Sequence, residues 1–230
     1  MNFHRGAAGL DTLIPMPACS PGTHVAICRI PKGDDLAVER SLLPESLLSA
    51  AAKRKHEFLA GRRCAQNALR LAGCTEPGTL AMGKDKLPQW PDGWRGSISH
   101  NNETAIAVAT STRFCTVIGV DLETWIDKAV AEEIHAQISQ PDELVLFSNH
   151  TPARALTLVF SAKETLYKAL YPEVRQFRDF KAAHVVGITV DQIRLRLEVD
   201  WGGAWRCGTT LAVSYAYSDT AVCTLLDKTS

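Results

Sequence analysis

The chain has 230 residues, 46% of them hydrophobic, and its 25 basic and 25 acidic side chains give a formal net charge of zero. This length and composition predict a globular protein with a sizeable core, in one large or two small domains. A neutral chain lacks the basic excess of a sequence-blind nucleic-acid binder, so we expect no nucleic-acid partner. No apolar run approaches the roughly 18 residues that span a membrane, so we expect no membrane association.

The seven cysteines are scattered and contain no C-x-x-C pair. This spacing argues against a disulfide framework and against a zinc site, and it is typical of free thiols in a reducing cytosol. Asp11, Pro15 and Pro17 interrupt the apolar stretch at the N-terminus. We therefore expect no signal peptide and a cytoplasmic protein.

Helix followed by strands is predicted twice along the chain, which indicates an α+β fold. Helical periodicity marks a first helix between Pro44 and Gly73, and the Gly-, Pro- and Trp-rich residues 74–96 predict a loop with short extended pieces. Two strands follow at 104–110 and 114–122. The later elements are helices at 128–138 and 153–170, separated by a break at SQPDE, and four antiparallel strands at 184–190, 193–199, 210–217 and 221–226.

Asp121 and Glu123 stand at the end of the apolar strand that contains Gly-Val-Asp-Leu-Glu. Because strand side chains alternate, the two carboxylates point to the same face. Paired carboxylates suit Mg²⁺, which takes oxygen ligands from protein, phosphate and water. So short a motif is also common at an ordinary polar strand end, which is the alternative interpretation.

Lys163, Glu164 and Lys168 lie in the helical segment Phe-Ser-Ala-Lys-Glu-Thr-Leu-Tyr-Lys. Glu164 and Lys168 are four residues apart and share a helix face, as in many ordinary surface pairs. Lys163 falls on the apolar stripe of the same helix. Its ammonium either reaches solvent along that stripe or meets an anion at a buried cleft.

The segment Gly-Ser-Ile-Ser-His, ending at His100, precedes a strand and carries small hydroxyl groups and an imidazole that could contact a phosphate. A structural turn histidine is the alternative. The first helix also carries basic residues that usually form a solvated face, namely Lys53, Arg54, Lys55, Arg62 and Arg63.

Four blocks in fixed order make a family resemblance specific: KRKHEFLAGR (53–62), LPQWPDGWRGSISH (87–100), IGVDLE (118–123) and FSAKETLYK (160–168). Together they resemble the surfactin-type 4'-phosphopantetheinyl transferases, most closely the branch that contains the enterobactin synthase component. Phe160 stands where many relatives have tryptophan. The first 40 residues match nothing distinctive.

The resemblance implies a pseudo-twofold pair of similar α+β subdomains, 1–113 and 114–230, with the active site in the cleft between them. It implies transfer of the 4'-phosphopantetheine of coenzyme A to a serine of an apo carrier protein, with release of adenosine 3',5'-bisphosphate. The implied Mg²⁺ ligands are Asp121, Glu123 and Glu164. Glu164 or a metal-held water is the candidate base, and Lys168 the proton donor to the leaving phosphate.

The resemblance also implies contacts with coenzyme A. Lys163 would meet the pyrophosphate, and Lys86 with Pro88 would line the adenine pocket. Ser99, His100, Arg54 and Arg62 would hold the adenosine 3'-phosphate.

The implied partners are acyl or peptidyl carrier proteins of fatty-acid, polyketide or nonribosomal peptide synthases, including siderophore and other secondary-metabolite pathways, and the implied state is a monomer. Two other functions fit the acidic residues and lysines. One is a Mg²⁺-dependent phosphodiesterase or nuclease, and the other is a non-catalytic module that binds carriers or coenzyme A.

Overall fold

A computed structural model describes residue 14 and residues 16–32 and 42–229 of the chain. Most of the N-terminal stretch on which we based the absence of a signal peptide therefore lies outside the described residues. No described helix has both the length and the apolar character to cross a membrane. All seven cysteines are free thiols, and four of them are buried, as the sequence predicts.

The chain divides into two compact units, and the boundary falls between Ile118 and Gly119. Among the described residues, the first unit contains 19–32, 42–118 and 228–229, and the second contains 14, 16–18 and 119–227. Our boundary at 113/114 stays a prediction, as does a cleft that would hold the active site. The predicted α+β class is confirmed, because helices and antiparallel sheets occur in the chain.

A three-stranded antiparallel sheet and one long helix form the first unit. The sheet has the order β1-β3-β2, with β1 at His24–Arg29, β2 at Trp94–His100 and β3 at Thr104–Ser111. Helix α1, Ala52–Leu71, packs on this sheet over a core of small residues that includes Cys64, Ala65 and Ala68.

Two strands of this sheet depart from the sequence prediction. We expected a loop through residue 96, but β2 begins at Trp94 and pairs with β3 along its whole length. Strand β1 was not predicted. Both strands flank β3, whose apolar run is buried from Thr104 to Thr110. Pairing with β3 therefore makes these two segments form strands, although their own sequence pattern is weak.

A five-stranded sheet and three α-helices have most of their residues in the second unit. The sheet order is β4-β8-β7-β6-β5. The strands are β4 at Cys115–Thr124, β5 at Ala183–Ile188, β6 at Gln192–Leu197, β7 at Thr210–Tyr217 and β8 at Ala221–Thr229. The helices are α2 at Lys128–Ile138, α3 at Pro141–Val145 and α4 at Pro152–Val174.

Helix α2 has the predicted bounds, whereas α3 replaces the predicted break. Its sequence explains this, because Pro141 occupies the first helical turn and Gln140 with Glu143 forms a capping box. Helix α4 continues past the predicted stop at Pro172 and ends in a left-handed residue, Arg175. Only two helical residues follow Pro172, so the lost hydrogen bond and the contact of its ring with the preceding turn disturb just the end of the helix.

Gly119 lets strand β4 lie directly against helix α4. A Cβ atom at this position would overlap the carbonyl oxygen of Thr165 and would lie 2.9 Å from the backbone nitrogen of Ala169. Both are backbone atoms and cannot rotate away. The absence of a side chain therefore sets the distance between this strand and this helix.

We expect Gly119→Ala to destabilise the protein by about 3 kcal/mol, because an extra carbon in a close-packed contact forces the backbones apart. Urea unfolding measures the change. Thr124→Ala, at an exposed position on the same strand, is the control and should change stability by less than about 0.5 kcal/mol. Equal stability of the two variants would show that the helix moves aside without cost.

Candidate active site

The end of β4 and one face of α4 bring a carboxylate and an ammonium group together. The Asp121 side chain is buried, with 1% exposed. Its Oδ1 accepts a hydrogen bond from Lys168 Nζ at 2.6 Å, and its Oδ2 accepts one from Ser161 Oγ at 2.7 Å. Two residues singled out in separate sequence blocks thus form a direct ion pair.

Glu123 and Glu164 complete an electrostatically coupled group with Asp121 and Lys168. Burial, reinforced by the negative charges of Asp121 and Glu164, raises the pKa of Glu123 to about 8 in spite of Lys168. Burial also raises the pKa of Glu164, where Lys168 opposes the shift and Asp121 adds to it. The raised values show that one ammonium does not offset three half-buried or buried carboxyl groups.

Lys168 responds in the opposite direction. Burial alone would lower its pKa, but attraction to Asp121, Glu164 and Glu123 outweighs burial, and the pKa of Lys168 is raised. Its ammonium therefore keeps its proton at neutral pH. A group that combines buried acids and a charged lysine is a candidate functional site on physical grounds.

The donor atoms of this group suit a hard divalent cation, but they do not surround one. Within residues 16–32 and 42–229, no group of three or more His, Cys, Asp or Glu side chains is arranged to hold a metal ion. The oxygen donors match those that Mg²⁺ prefers, and excess negative charge favours a further cation. The Lys168 ammonium already faces Asp121 Oδ1, so a cation would have to share or take over that oxygen.

Lys163 does not belong to this group, and its contact with the pyrophosphate stays a prediction. Its side chain is only 3% exposed, and its Nζ lies 2.8 Å from Glu143 Oε1 and donates to the Ile138 carbonyl oxygen at 2.9 Å. Burial lowers the pKa of Lys163 more than the Glu143 carboxylate raises it. The anion that Lys163 meets on the apolar stripe is therefore the Glu143 carboxylate.

Glu143, which is fully buried, was not among the predicted site residues. Its two oxygens accept hydrogen bonds from the backbone nitrogens of Gln140 and Val185, both at 2.7 Å, in addition to the ammonium of Lys163. This carboxylate thereby joins α3, α4 and β5. The capping pattern Gln-Pro-Asp-Glu was the available signal.

Ser161 was also missed, although it lies in the FSAKETLYK block. It is fully buried, and its hydroxyl contacts both Asp121 and Thr224. The helical spacing of Ser161, Thr165 and Lys168, at i, i+4 and i+7, marks a polar stripe inside a buried helix. That stripe was the signal from which the contact could have been found.

A second cluster, in the first unit, gathers basic groups around Glu57. Arg54 Nη1 lies 3.3 Å from His100 Nε2 and 3.5 Å from Glu57 Oε2. The Glu57 side chain is 11% exposed and also lies 3.9 Å from Lys53 Nζ. Lys53 in turn donates to Asn102 Oδ1 at 2.8 Å. The structure thus brings the predicted Arg54 and His100 together and adds Glu57, a charged residue in a block quoted only for its basic members.

Ser99 and Arg62 lie apart from this cluster. Ser99 neighbours His100 on β2, so the two side chains point to opposite faces of the strand, and Ser99 is buried. The Arg62 guanidinium lies 4.6 Å from the Phe58 ring centre, and burial lowers the pKa of Arg62 to about 10. Eight helical residues place Arg62 roughly 12 Å along α1 from Arg54.

Lys86 and Pro88 lie together in a tight turn. Lys86 is exposed, has a left-handed backbone (φ 67°), and its nitrogen donates to the Gly83 carbonyl oxygen at 2.9 Å. Pro88 pairs with Met82 across the base of the turn. The turn therefore presents the Lys86 side chain to solvent.

Two family models match successive parts of the chain. Residues 43–110 match the 4'-phosphopantetheinyl transferase N-terminal domain, and residues 117–224 match the 4'-phosphopantetheinyl transferase superfamily. The second match contains every member of the carboxylate–lysine group. The chain belongs to the 4'-phosphopantetheinyl transferase superfamily.

Individual relatives agree with this membership. The chain is 43% identical over 156 residues to enterobactin synthase component D of Salmonella typhimurium, which covers 66% of this chain and 63% of that protein. It is 32% identical over 151 residues to the 4'-phosphopantetheinyl transferase Svp of Streptomyces mobaraensis, covering 63% of this chain and 60% of that protein. The matched region thus spans less than two thirds of the length of these relatives.

We expect Lys163→Met to destabilise the protein by about 3–5 kcal/mol, because it leaves the buried Glu143 carboxylate without its ammonium partner. Urea unfolding measures the change. Lys128→Met removes the exposed pair with Glu132 and is the control, with an expected change below about 1 kcal/mol. A Lys163→Met protein of normal stability that binds coenzyme A weakly would instead support the pyrophosphate contact.

Proposed function

We propose that this protein transfers the 4'-phosphopantetheine group of coenzyme A to a serine of an apo carrier protein and releases adenosine 3',5'-bisphosphate. The observation that carries the proposal is the coupled group of Asp121, Glu123, Glu164 and Lys168, which lies within the matched superfamily region. The family membership favours this reaction over phosphodiester hydrolysis and over a non-catalytic binding module.

Asp121, Glu123 and Glu164 are the proposed ligands of a magnesium ion. When bound, such an ion supplies positive charge to the pyrophosphate oxygens as the phosphoanhydride bond breaks. The raised pKa of Glu123 means that its carboxyl group is largely protonated near pH 7 without the ion. Cation binding would therefore release a proton, and affinity should rise with pH.

Glu164 is the proposed general base. A serine hydroxyl is a weak nucleophile at neutral pH and needs a group that removes its proton as the oxygen attacks phosphorus. Burial raises the pKa of Glu164, which makes this carboxylate a stronger base than a solvated one. Glu164 lies one helical turn before Lys168, so its carboxylate and the Lys168 ammonium lie on the same face of α4.

Lys168 is proposed to stabilise the leaving phosphate and to give it a proton. Its raised pKa keeps the ammonium charged, so it contributes a fixed positive charge beside Asp121. Positive charge bound beside the three acidic side chains would weaken their attraction for the Lys168 ammonium, and Lys168 would then donate its proton more easily. The ammonium would then act as an acid late in the reaction rather than at its start.

The basic cluster at Arg54 and His100 is the proposed site for the adenosine 3'-phosphate. Glu57 holds the Arg54 guanidinium and the His100 imidazole near one another before any ligand binds. Less side-chain entropy is therefore lost when the phosphate binds. Arg62 and Ser99, which lie apart from this cluster, stay predicted contacts of coenzyme A, and Lys86 with Pro88 stays the proposed lining of the adenine pocket. Lys86 is exposed, as such a contact would require.

The proposed partner is an acyl or peptidyl carrier domain of a fatty-acid, polyketide or nonribosomal peptide synthase. The relatives named as enterobactin synthase components favour a carrier in siderophore biosynthesis. We also propose that the protein acts as a monomer in the cytoplasm. The free thiols are consistent with a reducing compartment.

The proposed transfer is tested by intact-mass measurement of an apo carrier protein after incubation with this protein, coenzyme A and Mg²⁺. We expect the carrier to gain the mass of one phosphopantetheine group, and the gain to disappear with EDTA. Asp121→Ala and Glu164→Ala should each slow the reaction at least about 100-fold, which corresponds to roughly 2.7 kcal/mol of barrier.

Glu132→Ala, which removes an exposed carboxylate on α2, is the matched control and should react at the wild-type rate. Rates within about threefold of wild type for Asp121→Ala and Glu164→Ala would contradict the proposed roles. No mass gain with carriers of all three synthase types would contradict the transferase activity.

The 3'-phosphate site predicts a substrate-dependent effect of His100→Ala. Loss of one charge-assisted hydrogen bond should raise the KM for coenzyme A about tenfold and leave the KM for dephospho-coenzyme A nearly unchanged. His135→Ala, at an exposed position on α2, is the control. Equal losses for the two substrates would place His100 away from the 3'-phosphate.

A further inference from the structure

Three buried hydroxyl groups form a continuous row that ends on Asp121. Ser161 and Thr165 lie one turn apart on α4, and Thr224 lies on β8; all three are fully buried. The Ser161 hydroxyl lies 2.7 Å from Asp121 Oδ2 and 2.9 Å from Thr224 Oγ1. Thr224 Oγ1 in turn lies 2.7 Å from Thr165 Oγ1.

Proton counting gives this row a direction. An ionised carboxylate only accepts, so the single hydroxyl proton of Ser161 goes to Asp121. The single proton of Thr224 is shared between Ser161 Oγ at 2.9 Å and the Ser161 carbonyl oxygen at 3.0 Å. The proton of Thr165 is likewise shared between Thr224 Oγ1 at 2.7 Å and the Thr224 carbonyl oxygen at 3.3 Å. Thr165 therefore donates to Thr224, Thr224 donates to Ser161, and Ser161 donates to the carboxylate; hydrogen bonds aligned in this way strengthen one another.

Helical serines and threonines have a simpler local choice, which is to bond a backbone carbonyl one turn earlier. Thr157 on the same helix does so, since its Oγ1 donates to the Ala153 carbonyl oxygen at 2.8 Å. Ser161 and Thr165 instead reach Asp121 and Thr224, which are 40 and 59 residues away in sequence. A buried polar row is costly unless every member is satisfied, and here each member is.

We propose that Ser161, Thr224 and Thr165 form a positioning relay that fixes the rotation of the Asp121 carboxylate for a divalent cation. With Oδ2 held by Ser161, rotation of the carboxylate is restrained and Oδ1 stays directed at the site where Lys168 Nζ lies. The proposal rests on the proposed function, because it assumes that Asp121 is a cation ligand. Partners that orient a ligand typically affect metal affinity 10- to 100-fold.

The test compares two replacements of one residue. Thr224→Val keeps the shape and removes the hydroxyl, whereas Thr224→Ser keeps the hydroxyl and removes a methyl group. Mn²⁺ is titrated into the full chain with coenzyme A present, and free Mn²⁺ is followed by electron paramagnetic resonance. Asp121→Asn provides the background, which includes Mn²⁺ held by coenzyme A alone.

We expect Thr224→Val and Ser161→Ala to weaken Mn²⁺ binding roughly 10- to 100-fold, and Thr224→Ser to stay within about threefold of wild type. Thermal unfolding in EDTA provides the second readout. There Thr224→Ser should melt below wild type because it leaves a cavity. A merely structural role would instead make Mn²⁺ affinity follow melting temperature across the variants.

Equal Mn²⁺ affinity of Thr224→Val and Thr224→Ser in folded protein would overturn the relay and leave the transferase proposal intact. If wild-type protein binds Mn²⁺ no more tightly than Asp121→Asn does, Asp121 is not a cation ligand, and both the proposed cation site and the relay are wrong. The two failures are therefore distinguishable.

Discussion

The close approach of strand β4 to helix α4 at Gly119 is the constraint on which the candidate site depends. Because residue 119 has no side chain, the strand lies against the backbone of Thr165 and Ala169. Two residues further along, Asp121 is close enough to contact both Ser161 and Lys168 directly. A bulkier residue at 119 would separate the acid from all its partners on the helix at once.

This approach creates a local excess of negative charge. Burying a carboxylate is costly unless cations and donors surround it, and Asp121 has both in Lys168 and Ser161. Glu123 and Glu164 are not compensated to the same degree, since burial and the negative charge of Asp121 raise the pKa of each. A fold selected only for stability would gain by replacing one of these acids. The close placement of these acids supports the proposed cation site and the proposed reaction at phosphate.

The parts of the fold that depend on local periodicity were predictable from the sequence. An apolar run correctly placed β4, and helical spacing correctly placed α2 and the face of α4 that carries Glu164 and Lys168. Contacts between distant segments were not predictable in the same way. The sequence offers no rule that pairs Lys163 with Glu143, or Ser161 with Thr224, because those contacts depend on how α3 and β8 pack against α4.

The two lysines of α4 show why residue type alone does not determine the role of a side chain. Lys163 and Lys168 are five residues apart, yet their pKa values shift in opposite directions. Lys163 faces one carboxylate that backbone donors already share, so burial dominates and its charge serves to join α3 to α4. Lys168 faces three coupled acids, which hold its proton firmly and keep the ammonium beside Asp121. Of the two lysines, only Lys168 has a charge that depends on several acids beside it. A change in negative charge near those acids would therefore act on Lys168, and the proposed cleavage of a phosphoanhydride bond produces such a change.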